Sequence, residues 1–373
     1  MTARWKLFYS RDLYDLPGTE ALFLRSMGEC CAWHAAHCPE YAAILAGAGF
    51  APGELRTAAD LARLPAIPTA YFKRHALFSM PRWRMPVKAT SSGTAGRKSQ
   101  MGFDAAGLLC GLGMVLSVAR YHGLFSGKLT NYIVLGWQPH RSNKTVIAKT
   151  AFGNTLFAPA LHREYALKFR GGAYHLDQEG LLAALVRYAK QGRPVRLVGF
   201  PAYTHFLLKE MERRGISLRL APGSMILLGG GWKQFYREAV DKEVLYGEAR
   251  DRLGIPETHI REFFGAVEHP ISYCDCREHH FHVPVYSRVL IRDVETLEPL
   301  PMGRIGLLNL LTPMVHAVPI LSVMTDDLAV LHPGESCPCG IRAPWLEIIG
   351  RVGMVDIKTC AAGAEDKRRE ELT

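Results

Sequence analysis

No stretch of the 373 residues approaches the ~20 consecutive apolar residues of a membrane-spanning helix, so no span is expected. The opening Met1-Thr2-Ala3-Arg4-Trp5-Lys6-Leu7-Phe8 has no apolar core of the kind a secretory signal carries. No internal repeat is evident. Acidic residues are in deficit, 35 against 45 basic ones, and the net charge of +10 favours anionic ligands. Yet no basic run is interleaved with stacking aromatics, as a strand-binding groove requires, so no nucleic acid partner is expected. A complete disulfide framework is missing too: the nine cysteines are odd in number, and four sit in two Cys-x-Cys pairs. That usage fits a reducing, cytoplasmic compartment and a thiol or metal role. Charged residues at 21% beside 48% apolar ones exclude a disordered chain, and the length suffices for a large core.

What is present centres on one run, Thr90-Ser91-Ser92-Gly93-Thr94-Ala95-Gly96-Arg97-Lys98-Ser99. It holds five hydroxyls, two glycines and two cations, between an extended segment (residues 85–89) and a helix expected over 105–120. Glycines let the backbone approach a ligand closely, and hydroxyls with main-chain N–H groups offer donors to phosphate oxygens. The Walker pattern is excluded, because the Lys-Ser pair follows the second glycine at the wrong spacing.

Residues 18–47 read as one helix, with Leu24, Met27, Cys31, Ala35 and Cys38 forming an apolar stripe. On that reading Cys31 and Cys38 are core residues, and His34 and His37 need no functional role. Cys110 is read as packing. From residue 130 apolar runs alternate with helical periods. Strands are expected at 132–135, 195–198 and 225–228, with helices from the Asp177 cap to about Gly192, over 201–214 and over 235–253. Such alternation argues a mainly parallel sheet, whose ligands bind beyond the carboxyl ends of the strands. Gly229-Gly230-Gly231 and Gly265 fall at such ends. After residue 270 strands at 285–291, 305–311 and 320–324 follow without helices, which points to a smaller antiparallel subdomain. Cys274-Asp275-Cys276 with His279, His280 and His282, then Cys337-Pro338-Cys339, offer thiolates and imidazoles at the spacing of a tetrahedral Zn²⁺ site.

Ser91 to Gly96 followed by Lys98-Ser99 resembles the phosphate loop of the adenylate-forming superfamily, which activates carboxylic acids with ATP. Phe264-Gly265-Ala266-Val267-Glu268, Thr325-Asp326-Asp327-Leu328 and Gly350-Arg351 are similar to three further motifs of that superfamily, in its order. Leu64-Pro65-Ala66-Ile67-Pro68 with Phe72-Lys73, Gly199-Phe200-Pro201-Ala202, Gly230-Gly231-Trp232-Lys233, Phe281-His282-Val283-Pro284 and Cys337-Pro338-Cys339-Gly340 resemble the acyl-protein synthetase (LuxE) family within it. The likeness runs from about residue 20 to residue 360.

The resemblance implies an α/β fold: the large N-terminal domain of the adenylate-forming fold with mainly parallel sheets, a smaller antiparallel β subdomain, and a mobile C-terminal domain absent or vestigial. Its divisions would be residues 1–270 (adenylation core with N-terminal helices), 271–350 (β subdomain with the zinc site) and 351–373 (truncated hinge and tail). It also implies an acid–thiol ligase using ATP, Mg²⁺ and a structural Zn²⁺. Ser91, Ser92, Gly93, Thr94, Gly96 and Lys98 would hold the β- and γ-phosphates and Glu268 the Mg²⁺. Phe264, Gly265, Gly230 and Gly231 would line the nucleotide site, and Lys233 would meet the substrate carboxylate or α-phosphate. Asp327 would take the ribose hydroxyls, with Asp326 as the alternative carboxylate, and Arg351 would complete the contact. Cys276, His282, Cys337 and Cys339 are the favoured zinc ligands, with Cys274 as the alternate. Cys360 would accept the acyl group and pass it to a partner protein, a reductase or carrier. Departures accompany the likeness. Val267 replaces a threonine, Asp326 a glycine, Gly353 a hinge acid, and Lys358-Thr359-Cys360 stands for Arg-Gly-Cys. The superfamily's C-terminal lysine has no counterpart, with Lys358 a candidate substitute. The alternatives are a ligase acting on CoA or a carrier protein, and a non-catalytic, zinc-stabilised nucleotide-binding protein.

Overall fold

The computed structural model of the chain describes residues 2–90, 99–141, 143 and 146–352, with the backbone alone for 146–149, 233, 234 and 236. A seven-stranded sheet runs in the order Tyr273–Cys274, Ile260–Phe264, Met225–Gly229, Val195–Gly199, Thr130–Trp137, Ala160–Arg170, Ala173–Leu176. Its five middle strands are parallel and its two edges antiparallel. The central strands are buried on both faces, as crossover helices require. The helix Gln178–Lys190 starts where Asp177 accepts from the Gly180 N–H at 3.0 Å, and it buries Leu181, Leu182, Leu185 and Tyr188. The helix Pro201–Arg213 begins on proline and is closed by Gly215 in the left-handed region, φ +66°.

The second sheet follows the order Phe281–His282, Trp345–Arg351, Ser322–His332, Ile305–Leu311, Arg288–Arg292, antiparallel throughout. Ile67–Pro68 joins it in parallel, Ile67 opposite Val323. The N-terminal helices pack against this late sheet. Phe8 stacks on Tyr286 with centroids 4.9 Å apart, and Arg288 lies 4.3 Å over Phe23. His34 is a satisfied core residue, its ring nitrogens 2.6 Å from Ser79 Oγ and 3.1 Å from the Val315 carbonyl. Cys31, Cys38 and Cys110 are buried. No helix among the described residues is long and apolar enough to cross a membrane.

Several element bounds differ from expectation. The first long helix is two, Leu16–His37 and Pro39–Gly47, because Pro39 has no N–H to continue the ladder. The helix expected over 235–253 is Lys242–Leu253, preceded by the 3₁₀ segment Lys233–Glu238. The strand expected at 285–291 is Arg288–Arg292, and that at 320–324 extends over Ser322–His332. Ala160–Arg170, Ala173–Leu176 and Trp345–Arg351 are strands the residue pattern did not announce.

Candidate active site

Parallel strands end together on one edge of the larger sheet, and glycine is required there by close approach. A Cβ on Gly199 would sit 2.6 Å from the Leu135 carbonyl oxygen, and one on Gly265 would sit 2.7 Å from that of Ile271. Beyond the strand Met225–Gly229 the chain turns through Gly230 (φ +80°) and Gly231 (φ +63°), conformations that favour glycine. Phe264 is half-buried, 5.9 Å from the rings of Tyr273 and Phe281.

The hairpin Val87–Thr90 and Gln100–Phe103 brackets the glycine-rich run, with Thr90 paired to Gln100. Ser91, Ser92, Gly93, Thr94, Gly96 and Lys98 lie outside the described residues, as does Cys360; of Lys233 only the backbone is described. The run's last residue is described. Ser99 is fully buried, and its hydroxyl donates to Glu268 Oε1 at 2.5 Å. A cavity of about 350 Å³ opens beside the hairpin, with Arg82, Lys88, Thr90 and Gln100 on its polar side.

Glu268 itself is buried, in a turn closed by the Ala266 N–H to the His269 carbonyl at 3.4 Å and the reverse bond at 3.2 Å. Val267 packs on the core. Burial pushes the fully enclosed His269 imidazole down to about 3, so it is neutral at physiological pH.

Asp327 and Arg351 form a second pair. They are directly opposite in neighbouring antiparallel strands, with Arg351 Nε 3.4 Å from Asp327 Oδ1. Asp326 turns the other way, 4.0 Å from Lys73 Nζ, while its carbonyl accepts from the Val352 N–H at 2.8 Å. Sequence reasoning gives Lys73 no role; the one signal is its place after Phe72 in a segment that resembles the family. The short parallel strand Ile67–Pro68 carries the helix Thr69–Arg74 to this position.

Cys276, His282, Cys337 and Cys339 gather with their ligand atoms all within 4.8 Å of one another. Cys276 Sγ and Cys337 Sγ are 3.8 Å apart, the separation of two sulfurs that are each ~2.3 Å from a tetrahedral ion. His282 donates its Nδ1–H to the Ala343 carbonyl at 2.7 Å, leaving Nε2 bare 3.2 Å from Cys339 Sγ. Backbone N–H groups of Glu278 and Ile341 donate to Cys276 and Cys339 at 3.4 Å each. Cys274 lies outside this group, on the strand paired to Phe263. His280, absent from the favoured ligand set, stands 3.2 Å from Cys337 Sγ and stacks on Trp345. Burial pushes the Cys337 thiol up to about 12, so a cation must displace its proton for it to ligate at neutral pH.

Residues 19–368 match the family model described as "Acyl-protein synthetase, LuxE". The long-chain-fatty-acid–luciferin-component ligase of Vibrio harveyi is 28% identical over 306 residues, 81% of this chain and 77% of that protein. The phenylacetate-coenzyme A ligase of Thermus thermophilus is 25% identical over 342 residues, 90% of this chain and 71% of that one. Among solved structures, 2-hydroxyisobutyryl-CoA ligase in complex with 2-HIB-AMP superposes with a TM-score of 0.66 at 14% identity, covering 92% of this chain and 70% of that chain. That likeness is one of fold.

Proposed function

Because this chain belongs to the acyl-protein synthetase (LuxE) family, we propose that it is a ligase that activates a fatty carboxylic acid with ATP and hands the acyl group to protein thiols. The carboxylate oxygen attacks the α-phosphorus, the bond to the β-phosphate oxygen breaks, and pyrophosphate leaves with that electron pair. A thiolate, assigned to Cys360, then attacks the acyl carbon and expels AMP, and a partner's thiol takes the acyl group in turn. Both reactants of the first step are anions, so the protein's task is to neutralise charge and hold them in line. The residues of 91–98 hold the β- and γ-phosphates, and Asp327 with Arg351 holds the ribose. Gly230 and Gly231 let main chain lie against the base, and Lys233 meets the substrate carboxylate. Glu268 suits Mg²⁺, a hard cation that takes one or two carboxylates beside substrate phosphates. Lys73 is a further cation, beside Asp326 and so next in sequence to the ribose pair.

The observation that carries this reading is the bond from Ser99 to Glu268, since it joins the end of the glycine-rich run to the acidic motif across the fold. The Cys276, His282, Cys337 and Cys339 cluster fits Zn²⁺ in donor type, number and sulfur spacing. All four positions are filled by protein, so the ion's contribution is structural. The eight described cysteines form no disulfide, in keeping with the cytoplasmic setting we assign.

The test is retention of radiolabelled acyl groups from acid and ATP, in wild type and Cys360→Ser. Label on the wild type and its loss in the variant is the expected result; equal labelling removes Cys360 from the mechanism. The relatedness to phenylacetate-coenzyme A ligase favours a second reading, acyl transfer to CoA or a carrier. Acyl-CoA formation without protein labelling selects it.

A further inference from the structure

Between Asp60 and Asp104 the chain holds eight lysines and arginines and no acidic residue, most of the surplus behind its net charge of +10. Part of that charge is compensated in the fold: Arg63 meets Glu54, and Lys73 lies 4.0 Å from Asp326. Arg82, Arg84 and Lys88 are exposed and have no carboxylate partner among the described residues. Exposed arginines elsewhere are paired, as Arg213 and Arg214 are with Glu210.

Two of the unpaired cations flank an aromatic ring on a stiff support. The 3₁₀ turn Arg82–Arg84 is closed by the Arg84 N–H to the Pro81 carbonyl at 2.9 Å and bracketed by Pro81 and Pro86. Met85 behind it is buried, its sulfur seated on Gly102 where any Cβ would collide with it. The turn is thus clamped to the hairpin that leads into the glycine-rich run. Its tip stands out: Trp83 is 77% exposed, more than any other large apolar side chain among the described residues. The Arg84 guanidinium lies over the Trp83 ring at 5.1 Å, and that of Arg82 over Phe78 at 5.5 Å. Singly exposed apolar residues are ordinary; a braced indole among unneutralised cations is not. Beside the turn, Arg82 and Lys88 line the cavity of about 350 Å³ together with Phe78, Met85 and Met101.

We propose that this turn docks the protein on an anionic membrane surface, with Trp83 in the headgroup layer and Arg82, Arg84 and Lys88 facing lipid phosphates. An indole, apolar in body and polar at its N–H, settles at that level. Each cation held near an anionic bilayer adds attraction. A lone ring with Arg84 over it offers no succession of platforms for the bases of a nucleic acid strand. The neighbouring cavity pairs apolar side chains with two cations, a lining that suits a fatty acid drawn from the bilayer. That benefit rests on the proposed function; the docking does not.

Co-sedimentation of the full chain with vesicles tests it, using phosphatidylcholine alone and phosphatidylcholine mixed with phosphatidylglycerol. Binding to the anionic vesicles only, released by added salt, is the expected result. Trp83→Ala should weaken that binding about tenfold. Arg82→Glu with Arg84→Glu should weaken it about a hundredfold or more. Arg213→Glu with Arg250→Glu makes the same charge change elsewhere and should retain binding. No wild-type binding, equal binding to neutral vesicles, or an equal loss in that control overturns the proposal. Retention by poly-glutamate and not by anionic vesicles overturns it too, in favour of an acidic protein partner. Should the double variant fail to fold, brominated lipid decides: a quenched component of tryptophan emission is expected in wild type and lost in Trp83→Phe, and equal quenching in both overturns the docking. Acid-dependent pyrophosphate exchange without vesicles separates the two readings. Its absence from the wild type sinks the proposed function alone, whereas exchange without any vesicle binding sinks only the docking.

Discussion

Ser99 and Glu268 are 169 positions apart in the chain, yet the serine hydroxyl donates to the glutamate carboxylate at 2.5 Å, both side chains buried. Such a bond fixes one carboxylate oxygen and leaves the other for a cation. Ser99→Ala should lower acid-dependent ATP–pyrophosphate exchange by about 10- to 100-fold, the worth of a hydrogen bond to a charged group. Glu268→Gln should lower it by about 100-fold or more, as loss of a charge-stabilising group does. Raised Mg²⁺ should partly restore the first and not the second. Exchange rates across a Mg²⁺ series check both.

Asp327 and Arg351 form a partly exposed pair, so their worth to the fold is small, about 0–1 kcal/mol. Asp327→Ala should therefore leave the melting temperature almost unchanged. Its effect should fall on KM for ATP, raised roughly 10- to 100-fold by the loss of two charge-assisted bonds to ribose. A larger loss in kcat than in KM would place Asp327 nearer the reacting atoms.

The cysteine–histidine cluster predicts one tightly held zinc per chain, measurable by elemental analysis. Cys337→Ser should lower the zinc content and the melting temperature together, since ligand binding in small zinc domains amounts to about 10–16 kcal/mol of folding energy. Cys274→Ser should keep the zinc, because Cys274 is outside the cluster.

Burial pushes the His34 imidazole down to about 3, whereas an unfolded histidine titrates near 6.5. Between those values the unfolded chain binds the extra proton, so stability is fully present above about pH 6.5 and falls as pH drops. The slope from this group approaches about 1.4 kcal/mol per pH unit. Urea midpoints from pH 8 to pH 5 should show the decline, and His34→Gln should flatten it while lowering stability at pH 8.

Much of the fold was legible because its central strands are short, β-branched and buried on both faces. Val195–Gly199 and Met225–Gly229 match expectation within a residue. Ala160–Arg170 escaped notice because it lies beside the edge and is wetted along most of its length. There Lys168 sits between Glu164 and Asp177, so charge dilutes the two-residue alternation. Trp345–Arg351 buries only its first residues. In the candidate site, the motif residues were named through the family resemblance, which says nothing of their pairing in this chain. Ser99 meeting Glu268, Lys73 reaching Asp326 and His280 beside Cys337 are products of sheet register and helix placement. Cys276 rather than Cys274 joins the cysteine–histidine cluster because the strand Tyr273–Cys274 keeps Cys274 in the buried core.

The central claim is that one site brings ATP and an organic acid together and cancels their charge. Pyrophosphate exchange into ATP, measured on the wild-type chain with a panel of fatty and aromatic acids, tests it most directly. Exchange that requires both the acid and Mg²⁺ is the predicted result. No exchange above background with any acid would contradict the account and leave the reading of a non-catalytic nucleotide-binding protein.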